Sequence, residues 1–254
     1  MLASVEHVKR CVIGNGEMFP TDNYKGGDMS AACRWDCYRR VTMLEPMVEA
    51  IVRDRVPGDF LEAGVFKGGI AIAMAAMMLA ADWEGSRTMW IADSFDGLPN
   101  VSTPVSAKID PIVRTENRRV RWTRGLFNGS QLKVTSYLQK CLRDKDGKPL
   151  HGRQRVRLLP GFFEDSLPGP VRALALLRVD GDLYTSITTT LERLWPLLSD
   201  GGFVVFDDWK FEQSKRAILD FRERWDIGTP ILFANGTLDP MAYWQKGHVY
   251  LRRR

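Results

Sequence analysis

Residues 59–69 read DFLEAGVFKGG and combine a buried strand, a tight turn and the start of a helix. Asp59 to Ala63 is predicted to form the strand, and Gly68 to Ala81, which is rich in Ala and Met, the helix. The backbone between them can turn tightly and pass close to a ligand at three glycines, Gly64, Gly68 and Gly69. This order of elements predicts a βαβ unit in a parallel sheet.

Outside this unit, the alternation of strands and helices continues along the chain. Further strands are predicted at Thr88–Ala92, Arg155–Leu159, Ala173–Val179, Phe203–Phe206, Ile231–Ala234 and Val249–Leu251. Further helices are predicted at Trp35–Arg55, Ser130–Leu142, Ser186–Leu198 and Glu212–Trp225. The central strands are nearly continuous apolar runs such as ALALLRV, as expected for strands covered on both faces. The pattern predicts an α/β protein with a mainly parallel sheet and helices on both faces.

The length and composition predict one main domain. The chain has 254 residues, of which 44% are hydrophobic and 26% charged, as is typical of a soluble globular protein. Residues 35–254 are expected to form the domain, after a partly ordered lead-in over residues 1–34. Residues 97–129 are long, basic and without a clear element, so a lid or insertion is expected there. No run of 18 apolar residues and no secretory signal is found, so a cytoplasmic protein is expected.

The charge distribution is uneven. The net charge is +5, but the segment Lys108–Arg157 has 14 Lys and Arg against four acidic residues. Such a segment can bind an anionic partner or substrate. The alternative, a solvated loop and helix surface, is favoured.

The cysteines do not indicate a metal site. Cys33 and Cys37 are four residues apart, but a zinc site needs more ligands, and the three histidines (His7, His151 and His248) are not near that pair in sequence. In a reducing compartment thiols stay free. We therefore expect buried or idle thiols at all four positions, Cys11, Cys33, Cys37 and Cys141.

Residues at the carboxyl ends of the first two strands indicate a nucleoside ligand. Ligands of open α/β sheets bind outside these strand ends. The turn after Glu62 matches neither a Walker A loop nor the dinucleotide pattern, and Lys67 is misplaced for gripping a phosphate. An acid there suits a cation, and S-adenosylmethionine carries an ammonium and a sulfonium but no phosphate. Asp93 ends the second strand and is placed to accept ribose hydroxyls. The alternative is a tight turn that binds no ligand.

A second set of acids ends two later strands. Asp180 and Asp182 lie in RVDGDLYTS, and Asp207 and Asp208 lie in FVVFDDW. Four carboxylates that converge would repel one another, and a hard divalent cation such as Mg²⁺ would relieve this repulsion. In an extended strand end Asp180 and Asp182 would point the same way. The alternative is that Asp182 caps a helix and Asp207 begins a turn. The metal site is favoured.

With these residues identified, the chain resembles the macrocin O-methyltransferase (TylF-type) family, whose members methylate sugar hydroxyls on antibiotics. The matching motifs cover about residues 40 to 250 in family order: VPGDFLEAGVFKGG, WIADSFDGLP, RLLPGFFEDSLP, LLRVDGDLYTS, LSDGGFVVFDDW and AYWQK. The resemblance implies a Rossmann-like class I methyltransferase fold. It also implies an S-adenosylmethionine-dependent, Mg²⁺-assisted O-methyltransferase that acts on a hydroxyl of a small molecule, in particular a sugar of a natural product.

The resemblance also assigns the site residues. It implies that S-adenosylmethionine binds at Glu62, Ala63, Gly64, Gly68, Gly69, Asp93, Ser94, Gly161 and Phe163. It implies that Mg²⁺ binds at Asp180, Asp207 and Asp208, and that Asp182 is the general base. Family members commonly have ETGVWRGG where this chain has EAGVFKGG, a change that keeps bulk and charge. The segment Val101–Arg124 does not resemble the family, so the acceptor stays open.

Two other functions are less consistent with the sequence than a small-molecule O-methyltransferase. The basic segment, with Trp122 among its arginines, would suit a nucleic-acid methyltransferase, but the acidic strand ends and the lack of a separate binding module disfavour it. A non-catalytic protein that retains the fold would need damaged motifs, and these are intact. We therefore expect a small-molecule partner and no membrane partner, and leave a homo-oligomer open.

Overall fold

A computed structural model of the chain describes residues 2–14, 38–81, 85–100, 113–115, 118–120, 124–234 and 241–247. Seven strands form one sheet in the order β5-β2-β1-β6-β7-β9-β8. Their bounds are β1 Asp59–Ala63, β2 Met89–Asp93, β5 Val156–Pro160, β6 Leu174–Val179, β7 Leu198–Phe206, β8 Leu232–Ala234 and β9 Met241–Gln245. The first five pair in parallel, whereas β9 is antiparallel to both β7 and β8. The predicted α/β fold is confirmed.

Helices cover both faces of the sheet. They are α1 Leu2–Gly14, α2 Glu45–Arg53, α3 Gly69–Ala81, α4 Gln131–Cys141, α5 Phe163–Ser166, α6 Tyr184–Leu194 and α7 Glu212–Arg224. The first four pack in one core and the last three in the other. Helix α3 is buried along nearly its whole length because it lies between the sheet and α1, which explains why its sequence is apolar on every side. No helix in the described ranges is both long and apolar enough to cross a membrane.

The register of the sheet places two charged residues, Glu62 and Arg178, on the same face. Glu62 of β1 is paired with Arg178 of β6, and Phe60 with Leu176. Because side chains alternate along a strand, Glu62 and Arg178 share the face of Phe60 and Leu176, which lies beneath α1 to α4. The N-terminal helices therefore cover the face on which the acidic strand ends lie.

Helix α1 was not predicted from the sequence. It buries Val5, Val8 and Val12 against the core, at a spacing that the sequence offers as a helical signal. Its Lys9 also forms an ion pair with Glu45 at the start of α2. The other residues of the predicted lead-in, 15–34, lie outside the described residues.

The expectation of free thiols is wrong for two of the four cysteines. Cys11 of α1 and Cys141 of α4 form a disulfide across 130 residues of sequence, with their Cα atoms 5.6 Å apart. Both helices belong to the same core, so the bond joins elements far apart in the chain, with Cys141 buried and Cys11 partly buried. Cys33 and Cys37 lie outside the described residues.

Other elements also differ from the prediction. The predicted helix Trp35–Arg55 is interrupted by a turn at residues 43–44, just before Pro46, which lies at the start of α2. The last strand of the sheet is β9, Met241–Gln245, which was not predicted. The strand predicted at Val249–Leu251 lies outside the described residues.

The insertion predicted at residues 97–129 has a closed base. Leu98 N donates to Leu126 O (2.8 Å), and Gly125 N donates to Leu98 O (3.0 Å), so the segment leaves and returns at one place. Within it, two short strands, β3 Val113–Thr115 and β4 Arg118–Val120, form an antiparallel pair separate from the main sheet. The base lies directly after β2, at the edge where the acidic strand ends meet.

Replacing Cys11 with Ser should lower the free energy of unfolding by about 2–5 kcal/mol, because the disulfide closes a long loop in the unfolded chain. Urea unfolding of both proteins, with and without dithiothreitol, measures this. The reductant should destabilise the parent protein and leave C11S unchanged. An equal urea midpoint for the two proteins without reductant would show that the bond contributes nothing.

Candidate active site

The turn after β1 brings three strand ends into backbone contact. Gly64 has a φ of +85°, and a Cβ there would lie 1.8 Å from the carbonyl oxygen of Asp180. Gly64 N donates to Ala92 O of β2 (2.9 Å), and Asp180 N donates to Ala63 O (2.8 Å). Only glycine fits this position, since any side chain would separate β1 from the end of β6.

Asp93 holds the shape of the glycine turn. Its Oδ2 accepts hydrogen bonds from Val65 N (2.7 Å) and Phe66 N (3.1 Å), and its Oδ1 accepts one from Phe95 N (2.7 Å). Burial raises the pKa of Asp93, and these three N–H groups partly offset that rise. Phe66 and Phe95 both have positive φ, so the carboxylate stabilises backbone conformations that are costly for residues with a side chain. The sequence did not indicate this role.

The other residues predicted to bind the cofactor lie around this turn, with one exception. Ser94 Oγ donates to Gly97 O (2.8 Å), and Gly161 N donates to Asp93 O (2.9 Å), so both belong to the loops beside Asp93. Gly68 ends the turn, where its N–H donates to Val65 O, and Gly69 begins α3. Phe163 begins α5 and packs in the core of β6, α6 and α7. Its role towards the cofactor stays a prediction.

The three predicted metal ligands converge. Asp180, Asp207 and Asp208 each offer one carboxylate oxygen, and these oxygens lie within 4.8 Å of one another. The Asp208 carboxyl also lies close enough to those of Asp180 and Asp182 to interact with them electrostatically. The four acids therefore form one cluster, as the strand-end pattern predicts.

The geometry assumed for Asp182 is wrong. Strand β6 ends at Val179, and Asp182 has a φ of +58°, so residues 180–182 do not continue as an extended strand. Leu183 N donates to Gly181 O, which makes Asp182 the middle residue of a tight three-residue turn. This turn, rather than strand alternation, directs Asp182 towards Asp208. Such strain in a residue other than glycine is common at functional sites.

Two arginines of the site were not identified from the sequence. Arg178 is fully buried in β6, and its Nη1 donates to Glu62 and to Asp180 Oδ2 (3.0 Å), while its Nη2 lies 3.0 Å from Asp207 Oδ2. Arg40, from the helical residues just before α2, donates to Asp207 Oδ2. The available signal for Arg178 was a charge inside the apolar run ALALLRV. Nothing in the sequence placed Arg40 at this site.

Burial and mutual repulsion raise the pKa values of most acids in the cluster. The pKa of Glu62 rises to about 8 because burial outweighs its contact with Arg178. Burial, followed by the charges of neighbouring carboxylates, raises the pKa values of Asp182 and Asp208 well above the ordinary range. Burial alone would also raise the pKa of Asp207, but Arg178 and Arg40 hold it below its ordinary value. Burial and crowding therefore favour the protonated forms of Glu62, Asp182 and Asp208.

The donor set fits both a divalent cation and an ammonium group. Among the described residues, three buried carboxylate oxygens have no hydrogen-bond partner: Glu62 Oε2, Asp207 Oδ1 and Asp208 Oδ2. Such atoms are costly unless a ligand satisfies them. If all were ionised, the cluster's five carboxyls (Glu62, Asp180, Asp182, Asp207 and Asp208) would exceed the two guanidinium groups by three negative charges. A divalent cation and an ammonium together offset that excess.

Comparison with known proteins identifies the chain. The sequence model of the macrocin O-methyltransferase (TylF) family matches residues 24–246, a range that contains every site residue described above. The chain belongs to the TylF family. It is therefore an O-methyltransferase that uses S-adenosylmethionine as its methyl donor, as the resemblance predicted.

Several relatives and a solved structure extend this match. A tetracenomycin enzyme of Streptomyces olivaceus, 8-demethyl-8-(2,3-dimethoxy-alpha-L-rhamnosyl)-tetracenomycin-C 4'-O-methyltransferase, is 38% identical over 78% of this chain and 71% of its own length. Demethyldecarbamoylnovobiocin O-methyltransferase of Streptomyces niveus is 36% identical over 82% and 73%. The structure of the O-methyltransferase NovP superimposes with a TM-score of 0.74 at 28% identity, covering 96% of this chain and 98% of that one.

Replacing Asp93 with Ala should weaken binding of S-adenosylhomocysteine by about 2 kcal/mol and lower the free energy of unfolding by about 2–4 kcal/mol. The physical reason is that three backbone N–H groups of the TylF glycine turn and its neighbour lose their acceptor. Titration calorimetry and urea unfolding measure the two effects.

The matched control is Asp59→Ala. Asp59 accepts Thr88 N and Trp90 Nε1, both at 2.8 Å, at the opposite end of β1. D59A should lose stability without losing cofactor affinity. If D93A behaves in the same way, Asp93 has only a structural role.

Proposed function

We propose that this TylF-family protein is a Mg²⁺-assisted O-methyltransferase that methylates a sugar hydroxyl of a natural product. The observation that carries the proposal is the cluster of Asp180, Asp207 and Asp208, whose oxygens lie within 4.8 Å of one another beside the glycine turn. Two of these carboxylates have buried oxygens without a hydrogen-bond partner in the described ranges. The name of the relative from Streptomyces olivaceus, a 4'-O-methyltransferase of a rhamnosyl tetracenomycin, supports a sugar as the acceptor class.

In this proposal the ends of β1 and β2 hold S-adenosylmethionine. Glu62 accepts the ammonium through Oε2, since its other oxygen pairs with Arg178. Gly64 and Gly68 let the backbone approach the ligand, and Asp93 keeps that backbone in place while its remaining lone pairs accept the ribose hydroxyls. Ala63, Gly69, Ser94, Gly161 and Phe163 complete the predicted cofactor set.

The ends of β6 and β7 activate the acceptor. When bound, S-adenosylmethionine supplies the methyl group, and Mg²⁺ at Asp180, Asp207 and Asp208 supplies positive charge that lowers the pKa of an acceptor hydroxyl. Asp182 accepts the proton of that hydroxyl. Burial raises the pKa of Asp182, which makes its carboxylate a stronger proton acceptor than an exposed one. The rigid turn at Asp182 fixes the direction from which the acceptor approaches, which contributes alignment with the methyl group.

We further propose that residues 97–129 form the lid over the acceptor. The closed base at Leu98 and Leu126 packs with Phe127, Leu183 and Phe211 in a small apolar cluster. Leu183 follows Asp182 directly in the chain, so this cluster joins the insertion to the turn of the proposed base. In this proposal the insertion contributes to binding of the acceptor rather than of the cofactor.

Turnover should require Mg²⁺ and an acceptor with neighbouring hydroxyls. Release of S-adenosylhomocysteine is measured for a panel of glycosylated natural products and catechols, with MgCl₂ or with EDTA, and for RNA. The expected result is release from a sugar substrate with Mg²⁺ and none with EDTA. Full activity in EDTA contradicts the metal, and activity confined to RNA or to an isolated hydroxyl contradicts the acceptor class.

Two substitutions should separate the metal from the base. Asp208→Asn should weaken Mg²⁺ binding, whereas Asp182→Asn should retain Mg²⁺ and cofactor binding while kcat falls by roughly 10²–10⁴. Because the pKa of Asp208 lies well above its ordinary value without a metal, Mg²⁺ binding should release protons and tighten as the pH rises. Calorimetry in buffers of different ionisation enthalpy detects that release. Loss of Mg²⁺ affinity in D182N but not in D208N would reverse the assignment.

A further inference from the structure

Arg178 joins the two halves of the site. Its guanidinium lies in the middle of the sheet, with 2% of the side chain exposed, and contacts carboxylates from three adjacent strands. Glu62, on β1, belongs to the proposed cofactor site. Asp180 and Asp207, after β6 and β7, belong to the proposed metal site. The guanidinium of Arg178 therefore contacts residues of both the proposed cofactor site and the proposed metal site.

The geometry of these contacts fixes the orientation of all three acids. Nη1 is shared between Glu62 Oε1 and Asp180 Oδ2, and Nη2 faces Asp207 Oδ2. In Glu62 and Asp207, the oxygen that Arg178 does not hold is the buried one without a hydrogen-bond partner among the described residues. The guanidinium thus leaves one free oxygen on each side, directed away from itself.

We propose that Arg178 is a positioning residue that presents Glu62 to the cofactor ammonium and Asp180 and Asp207 to the metal at the same time. This inference rests on the proposed function for the identity of the two ligands. Its physical basis is the planar fork of the guanidinium, which holds several carboxylates in a fixed geometry that the single nitrogen of a lysine cannot reproduce. A partner behind a metal ligand typically changes metal affinity by about 10–100-fold.

The direct test is Arg178→Lys, which keeps the positive charge and removes the fork. Calorimetry measures the binding of S-adenosylhomocysteine alone and of MgCl₂ alone. Both dissociation constants should rise, that of Mg²⁺ by about 10–100-fold and that of S-adenosylhomocysteine by about tenfold or more. A change in only one of them, or in neither, overturns the shared role. Because the parent protein is measured first, failure of the parent to bind Mg²⁺ contradicts the proposed function instead.

The matched control is Arg87→Lys. Arg87 also uses both terminal nitrogens, donating to Gly58 O (2.5 Å) and Val56 O (2.7 Å) at the opposite end of the strands. R87K should lower the melting temperature without changing either dissociation constant. If R178K does the same, Arg178 is only structural and the inference is wrong.

A second measurement keeps the inference testable if R178K does not fold. In Glu62→Gln, Arg178 loses a carboxyl partner and pairs more closely with Asp180 and Asp207, so Mg²⁺ affinity should fall at least about fivefold although Glu62 is no metal ligand. Asp93→Asn removes a negative charge from the neighbouring strand end, where Asp93 acts electrostatically on Asp182. It should change Mg²⁺ affinity less than E62Q does. Equal losses of Mg²⁺ affinity in the two variants would show only that a nearby negative charge no longer attracts the metal, and would overturn the role of Arg178.

Discussion

The balance of charge around Arg178 is the constraint on which the site depends. Five carboxyls at the ends of three neighbouring strands cannot all be ionised in a buried place without positive charge nearby. Arg178 supplies part of it from within the sheet, and Arg40 supplies more from the N-terminal segment. The remainder is offset by the raised pKa values of Glu62, Asp182 and Asp208, since burial and neighbouring carboxylates favour the protonated forms of these acids. A cation that enters this site exchanges with those protons, so ligand binding and ionisation are linked.

The same edge of the sheet depends on backbone contacts as closely as on charge. Gly64 lies against the Asp180 carbonyl, and Gly129, at the end of the insertion, lies against the carbonyl of Phe66, where a Cβ would come within 1.8 Å. The glycine turn is thus held between β6 on one side and the returning arm of the insertion on the other. Phe66 also meets the ring of Phe127 edge to face, with the ring centroids 6.1 Å apart. A change in the insertion therefore reaches the turn beside Asp93 through packed contacts.

The sequence predicted the fold and the acids of the site, because both depend on local patterns. Apolar runs predict the parallel strands, and acidic residues directly after those runs predict the cluster of acids at the strand ends. It did not predict the partners of these acids, because contacts such as Arg178 with Glu62, or Arg40 with Asp207, depend on register between distant strands and segments. It also assigned Asp182 to an extended strand end, since a left-handed conformation at a residue other than glycine has no clear sequence signal. The disulfide between Cys11 and Cys141 was not predicted for a similar reason, because two cysteines 130 residues apart form no recognisable sequence motif.

The cofactor turn and the acidic cluster belong to different parts of the chain from the insertion, and this separation explains how proteins of one fold can methylate different acceptors. The cofactor turn and the acidic cluster are built from strand ends that the sheet fixes, and both lie within the range that the family model matches. The insertion is joined to these strand ends at its base, through the hydrogen bonds of Leu98, the apolar cluster with Leu183 and the contact of Gly129 with Phe66. Beyond that base its length and sequence can change at little cost in stability, because loop insertions on a rigid scaffold are well tolerated. The proposed choice of acceptor then follows from residues 97–129, whose segment Val101–Arg124 lies outside the motifs that resemble the family, while the proposed chemistry follows from the strand ends.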